Sequence, residues 1–289
     1  RDVVSRSAFM EMMAGRACKE GGVHIVAAHL GADFVEQNFP GMCKRCRPFG
    51  YHLARGPVPV SPSAHFFMGG ALIDKHGKAS LQRLFVAGED AGGVHGGNRL
   101  GGNGICESCV YGRQAGKALA RFVQAGNRHA PETAPGLVAD IAARFLAPRQ
   151  RSTGEDPFRI RDEVREINWA KVGIVRNGPD LEQALSAFTS LRRAAEDVRV
   201  TGPQTYNMPW NITIDLLNMI DVSIMSAACA LARKESRAAH YRSDYPEQDD
   251  VNSLYNIFLT RGDQGRPDLR TEPIHFKYKS LQECQKYRK

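Results

Sequence analysis

The chain has 289 residues, 42% hydrophobic and 24% charged, with 39 Lys and Arg against 31 Asp and Glu for a formal charge of +8. These are the proportions of a globular protein of about two domains, and they exclude a collagen or a mostly disordered chain. No apolar run reads as reaching the ~20 residues needed to cross a bilayer, so a membrane span is not expected. Acidic residues interleave with basic ones nearly everywhere, as in DEVREINWAKVGIVR, which argues against a polyanion surface and against nucleic acid as a partner. Seven cysteines, an odd number in a chain too long to need stapling, fit a reducing compartment. No signal peptide is visible, and an initial Arg in place of Met suggests a processed product, a fragment or one piece of a larger polypeptide.

Residues 2–14 (DVVSRSAFMEMMA) predict a helix with Asp2 as its cap, Val3, Ala8, Met10 and Met13 as apolar positions, and Gly15 as its end. From Gly21 to Pro59 a small α+β element is expected, with Val23, Ile25 and Val26 as a short strand and Phe39-Pro40-Gly41 as a turn. Residues 57–74 (PVPVSPSAHFFMGGALID) suggest a strand, a tight turn at Gly69 and Gly70, and a second strand. RLFVAGEDAGG reads as a strand ending in Gly88, and GGVHGGNRLGGNG as a loop that leads into the helix ICESCVYGRQAGKALARFVQAG. Apolar or small residues at 105, 109, 112, 116, 119 and 123 form a stripe expected to pack, with Gly112 and Gly116 allowing close approach to a sheet. Polar linkers at 127–135 and 148–156 border helical patterns near 136–147, 157–171, 179–197 and 211–239. In the last of these, Leu216, Ile220, Ile224, Ala227 and Leu231 make a core stripe. After about residue 251, NIFLTR and PIHFKYK suggest a pair of strands.

A strand that runs into glycine, then a loop with little side chain, then a helix start is how a backbone approaches an anionic or electron-rich ligand closely. The helix start offers free N–H groups and about half a positive charge, suited to a phosphate or to the pyrimidine end of a reduced flavin. Glu89 is placed to accept hydrogen bonds from sugar-alcohol hydroxyls. The plainer alternative is a glycine-rich turn that serves packing alone. Cys43-x-x-Cys46 with His52 nearby falls short of the four spaced ligands of a zinc site, so no metal is expected.

RDVVSR at 1–6, SAHFFMGG at 63–70, GED at 88–90, HGGNRLGGNG at 95–104 and ARKESRAAHYRSDYPEQDD at 232–250 occur in one order. In that order the chain resembles the C-terminal half of the succinate dehydrogenase and fumarate reductase flavoprotein family, which also includes L-aspartate oxidase. The resemblance implies an α/β plus α fold. Residues 1–56 would end an α+β capping domain, 57–128 would be the second part of a glutathione-reductase-like FAD-binding domain, and 129–250 a helical domain, with a β-containing tail at 251–289. It implies FAD as cofactor, held by Gly69, Gly88, Glu89, Arg99, Gly102, Asn103, Gly104 and Ile105. It also implies a C4 dicarboxylate substrate, clamped by Arg99 at one carboxylate and hydrogen-bonded by His65 at the other side. Arg1 matches the capping-domain arginine that shuttles a proton opposite the flavin, although a guanidinium that stays protonated above pH 12 needs a neighbouring acid relay to refill it. Family members often carry Ser where Gly104 stands.

No G-x-G-x-x-G motif lies in a strand-to-helix context here, so the family's N-terminal FAD pyrophosphate-binding half is expected to be absent and the chain alone to be inactive. That half, in the same polypeptide or a second chain, is an expected partner. So is an iron-sulfur subunit, since this chain has no Cys₄ cluster motif of its own. Through such partners the protein would lie peripheral to a membrane, on its cytoplasmic or mitochondrial matrix side. The competing expectations are an L-aspartate oxidase-like flavoenzyme and a non-catalytic scaffold. Arg237, His240, Arg242 and Asp244 are read as ion pairs that dock the helical domain against the FAD domain.

Overall fold

A computed structural model describes residues 2–126, 133–262 and 267–285. Arg1 lies outside the described residues. The chain divides into two compact units, Arg1–His129 and Ala130–Lys289.

In the first unit, α1 (Asp2–Glu11) turns Phe9 inward and leaves Val3 and Met10 exposed, as is Met13 just beyond it, against expectation. The aromatic ring offers the largest apolar area to remove from water, and it sets the phase of the helix. A wide turn over Met12–Arg16 follows, with Gly15 at φ 74°. β1 (Val23–Ile25) pairs antiparallel with β2 (Val58–Val60), matching Val23 to Val60 and Ile25 to Val58. Phe39 alone separates α2 (Ala32–Asn38) from α3 (Pro40–Cys46), so Phe39-Pro40-Gly41 is a helix junction, not an open turn. Pro40 opens α3, where its missing N–H has no partner to lose. Val35, Cys43, Leu53, Ala54 and Val58 form the core of this region.

Beyond β2, residues 61–102 hold no strand. RLFVAG and the second strand expected before Asp74 are replaced by single bridges, Ala71 with Ala91, Ile73 with Ala79 and Lys78 with Phe85. One bridge at a time provides no ladder to regularise the backbone.

α4 (Asn103–Gln124) departs furthest from expectation. It buries Glu107 and Ala115, while the stripe at 105, 109, 116, 119 and 123 stays exposed, Ile105 at 78%. A Cβ at Gly112 or Gly116 would meet nothing within 4 Å, and Cys109 lies on the open face. The packed face is chosen by two contacts: Gly77, whose Cβ position is 2.8 Å from that of Ala115, and Phe85, edge-on to Phe122 with ring centres 5.8 Å apart.

The second unit comprises α5 (Leu137–Gln150), α6 (Pro157–Ile167), α7 (Gly178–Glu196), α8 (Met208–Ala232), β3 (Tyr255–Arg261), β4 (Pro267–Pro273) and α9 (Leu281–Gln285). α6, α7 and α8 each begin with an Asp or Asn cap followed within two residues by Pro. Asp156 accepts from Phe158 N, Asn177 from Asp180 N and Asn207 from Trp210 N, at 2.9–3.0 Å. Ile160, Val164, Leu181, Phe188, Leu216 and Ile220 close the core between these helices. α8 does reach the length and mean hydropathy, 1.6, of a membrane-spanning helix, which corrects the reading that no segment does. Its Leu216, Ile220 and Ala227 are buried against α6 and α7, while Met208, Ile214, Val222 and Met225 on other faces are exposed. β3 falls on the expected NIFLTR, but its partner is PDLRTEP and not PIHFKYK, with Tyr255 opposite Pro273 and Arg261 opposite Pro267.

α8 stops at Ala232, well before the expected 239, because Arg242 replaces its next turn. The Arg242 side chain is 2% exposed and donates from Nη1 to the carbonyls of Ala230 (2.8 Å), Leu231 (3.1 Å) and Arg233 (3.3 Å), groups a helix end leaves without partners. Its Nε and Nη2 meet the two oxygens of Asp244 at 2.7 Å, and Asp244 accepts from Gly178 N (2.8 Å) at the start of α7. Glu235, fully buried, takes Arg233, Arg237 and the Asp249 N–H. All of these contacts lie within the second unit, so the segment ties helix ends together inside it.

The Arg242 guanidinium, with the Gly178 N–H, holds the Asp244 carboxyl at about 2. Burial, with the Arg176 charge beside it, holds His240 at about 4. Both groups are depressed in the fold, so both favour folding at neutral pH and withdraw that support as the pH falls. His240 does so from its unfolded value of about 6.5 down to about 4, and Asp244 from about 3.9 down to about 2. We therefore expect the urea midpoint of the chain, followed by circular dichroism, to fall between pH 7 and 4, and H240Q to flatten that interval. D244N leaves the buried Arg242 charge with carbonyl partners only and should cost on the order of 3 kcal/mol at pH 7.

Candidate active site

The site is assembled by a backbone contact. Gly70, at φ 147°, lies so close to residues 90 and 91 that a Cβ would stand 2.2 Å from the Asp90 carbonyl oxygen. Ala71 N donates to Asp90 O (2.8 Å) and Gly92 N to Ala71 O (3.0 Å). This lays the SAHFFMGG segment beside the glycine loop. Arg99 N donates to Met68 Sδ (3.0 Å), and Phe67 N to Glu89 Oε1 (2.7 Å).

His65 and Arg99 converge, with Nη2 of the arginine 3.2 Å from Nε2 of the histidine. A guanidinium only donates, so Nε2 accepts and the imidazole proton is assigned to Nδ1. Arg99 also donates from Nη1 to Leu100 O (3.1 Å), and its guanidinium carbon stands 4.4 Å from the centre of the Phe66 ring. The fork is thereby fixed on two sides. Phe66 in turn meets His95 edge-on, with ring centres 5.3 Å apart, and His95 Nε2 pairs with Glu107 Oε2 at 2.6 Å. A Cβ on Gly104 would come within 3.1 Å of the Phe66 ring and 3.7 Å of Arg99 Cδ, so the glycine makes room for this stack.

Sequence reasoning missed Phe66, Met68, His95 and Glu107. Two signals were available: His95 opens the HGGNRLGGNG motif, and Glu107 is an acid on the buried face of α4. Gly88 is buried at φ 81°, Gly69 is exposed at φ 110°, Gly102 caps α4 in the left-handed conformation, and Asn103, Gly104 and Ile105 open the helix. The surface depression lined by Cys109, Val110, Arg113, Gln114 and Lys117 lies on one face of α4 and includes neither His65 nor Arg99.

These residues fit the flavin side of an FAD. No side chain caps α4; its first N–H, on Asn103, donates to Leu100 O (3.2 Å), and the N–H groups that follow would face an anionic ring edge. Gly93, Gly96, Gly101 and Gly102 have open space where side chains would stand, and Leu100 and Ile105 present apolar surface to a flat ring. Buried Glu107 Oε1 has no hydrogen-bond partner among the described residues.

Comparison with known proteins decides the family. Residues 1–105 match the family model for the FAD binding domain, and residues 161–287 that for the fumarate reductase flavoprotein C-terminus. A fumarate reductase (CoM/CoB) polypeptide of Methanothermobacter marburgensis is 36% identical over 86% of this chain and 44% of its own length. The chain belongs to the succinate dehydrogenase and fumarate reductase flavoprotein family. The solved structure of Mycobacterium smegmatis Sdh1 in complex with UQ1 is similar at TM-score 0.86 and 31% identity, over 99% of this chain and 50% of that one. L-aspartate oxidase of Yersinia pestis matches at 30% identity over 86% of this chain and 44% of its own length. The flavoprotein chain thus spans about half the length of the curated relatives it matches. Its cofactor is FAD, and its architecture is an FAD-binding portion with a helical C-terminal portion.

Gly70→Ala tests the assembly. A methyl group at 70 collides with backbone and cannot rotate away, so the variant should lose about 2–4 kcal/mol of local stability. Hydrogen exchange should show the Ala71 and Gly92 amides losing protection while α6–α8 keep theirs.

Proposed function

We propose that this chain supplies the substrate-clamping side of a succinate/fumarate oxidoreductase flavoprotein. The pairing of His65 with Arg99 at 3.2 Å, at the mouth of the glycine-lined start of α4, carries this reading. Bound FAD supplies hydride transfer to or from one carbon of a C4 dicarboxylate. Arg99, held by Phe66 and the Leu100 carbonyl, meets one substrate carboxylate with a fork that needs no reordering on binding. His65, paired with Arg99 through Nε2, is assigned the other end of the substrate. Arg1 is assigned the proton at the adjacent carbon, on the strength of the motif alone. Glu89, with one oxygen engaged by Phe67 N, offers the other to the FAD ribitol, and Gly69, Gly88, Gly102, Asn103, Gly104 and Ile105 line the ring system.

In this reading residues 1–56 end a capping domain, 57–128 belong to the FAD domain, 129–250 form the helical domain and 251–289 a β-containing tail. The exposed stripe of α4 supports a partner half that carries the pyrophosphate-binding motif. Electrons leave through an iron-sulfur subunit, and the assembly lies peripheral to a membrane through its partners, on the cytoplasmic or matrix side.

The test uses this chain together with the polypeptide bearing the N-terminal half, loaded with FAD and assayed for fumarate reduction by a reduced viologen. Arg99→Lys removes the fork and the stack, and should lower kcat/KM by about 10²–10³. Unchanged kcat/KM removes Arg99 from the site, and no interconversion of succinate and fumarate by the wild type ends the proposal. The aspartate oxidase relative supports a second reading, which aspartate-dependent peroxide formation without an iron-sulfur partner would favour.

A further inference from the structure

In the first unit, and apart from the flavin site, the Cys18 thiol, a Glu20 carboxylate oxygen and a His24 ring nitrogen all lie within 4.8 Å of one another. Backbone geometry puts them there. Cys18 N donates to Gly22 O (2.7 Å) and Gly21 N to Cys18 O (2.8 Å), closing a tight turn in which Gly21 takes φ 86°. Gly22 admits no side chain, because a Cβ would stand 2.2 Å from Val60 O on β2. His24 is on β1 opposite Pro59, so the strand pairing fixes its Cα relative to the turn.

Sulfur, nitrogen and a single carboxylate oxygen make a donor set for a borderline-soft ion. Calcium and magnesium require oxygen throughout. Zinc bonded at 2.0–2.3 Å in a tetrahedron holds its ligand atoms roughly 3.3–3.8 Å apart, so side-chain rotation of about an ångström closes this trio around an ion. Lys19 Nζ, 3.7 Å from Glu20 and on a side chain 91% exposed, is free to swing into solvent when a divalent cation takes its place.

We propose that Cys18, Glu20 and His24 form a zinc site, with water in the fourth position. On binding, the Cys18 S–H bond breaks, its proton leaves to solvent, and sulfur, imidazole nitrogen and carboxylate oxygen each form a bond to the metal; nothing is oxidised or reduced. The ion clips the 18–22 turn to β1 and requires neither FAD nor a partner chain.

The experiment is a Co²⁺ titration of the tag-free full chain, kept reduced by a non-chelating phosphine. A near-ultraviolet thiolate-to-cobalt band should saturate at one equivalent and be displaced by Zn²⁺. C18S should abolish the band, and H24A and E20Q should each weaken binding about tenfold or more, with circular dichroism unchanged. C46S and the C106S/C109S pair should leave it intact. Absence of the band in the wild type, its survival in C18S, or unchanged affinity in both H24A and E20Q overturns the proposal.

Discussion

The backbone contact between Gly70 and Asp90 is the constraint on which the first unit's chemistry depends. Two stretches without regular strands are held together by it through two hydrogen bonds and a glycine that can have no neighbour-facing Cβ. The side-chain contacts of the candidate site follow from the register it sets. Phe67 N reaches Glu89, Met68 sulfur reaches the Arg99 amide, and His65 reaches the Arg99 guanidinium. Glycine is required there for approach, a stricter demand than conformational freedom.

The second unit solves the same problem with charge. Residues 233–250 have no helix and no strand ladder, and Arg233, Glu235, Arg237, Arg242 and Asp244 hold them by pairing with one another and with backbone groups. A buried guanidinium that serves three carbonyls and one carboxylate specifies a chain path more narrowly than apolar contacts of equal area, because each missing partner leaves a desolvated charge. The same residues make this stretch recognisable in the sequence, yet their visible work is structural.

How much of this is legible in the sequence depends on range. α8 is readable because its stripe is long, strongly apolar and matched to a 3.6-residue period, and Leu216, Ile220 and Ala227 are buried accordingly. α4 shows a similar period, but the period alone gives the wrong phase, since Ala115 and Phe122 are selected by Gly77 and Phe85 from a distant loop. β4 escapes the pattern because PDLRTEP is polar and exposed, and only pairing with β3 makes it a strand. In the site, His65 and Arg99 are legible through their motifs. Phe66, His95 and Glu107 acquire roles only once residues some ten to thirty apart meet. The turn that gathers Cys18, Glu20 and His24 is invisible because its spacing matches no familiar ligand pattern and its geometry is set by β2.

α8 also bears on how the chain is made. A 25-residue segment as apolar as a bilayer span is a hazard while it emerges from the ribosome, since insertion machinery and other unfinished chains compete for it. Chain order answers part of that hazard: α6 and α7, whose apolar faces bury the Leu216, Ile220 and Ala227 stripe of α8, are synthesised before it. The segment is therefore delivered onto a surface already waiting for it, and Arg242, the residue that seals its far end, arrives last.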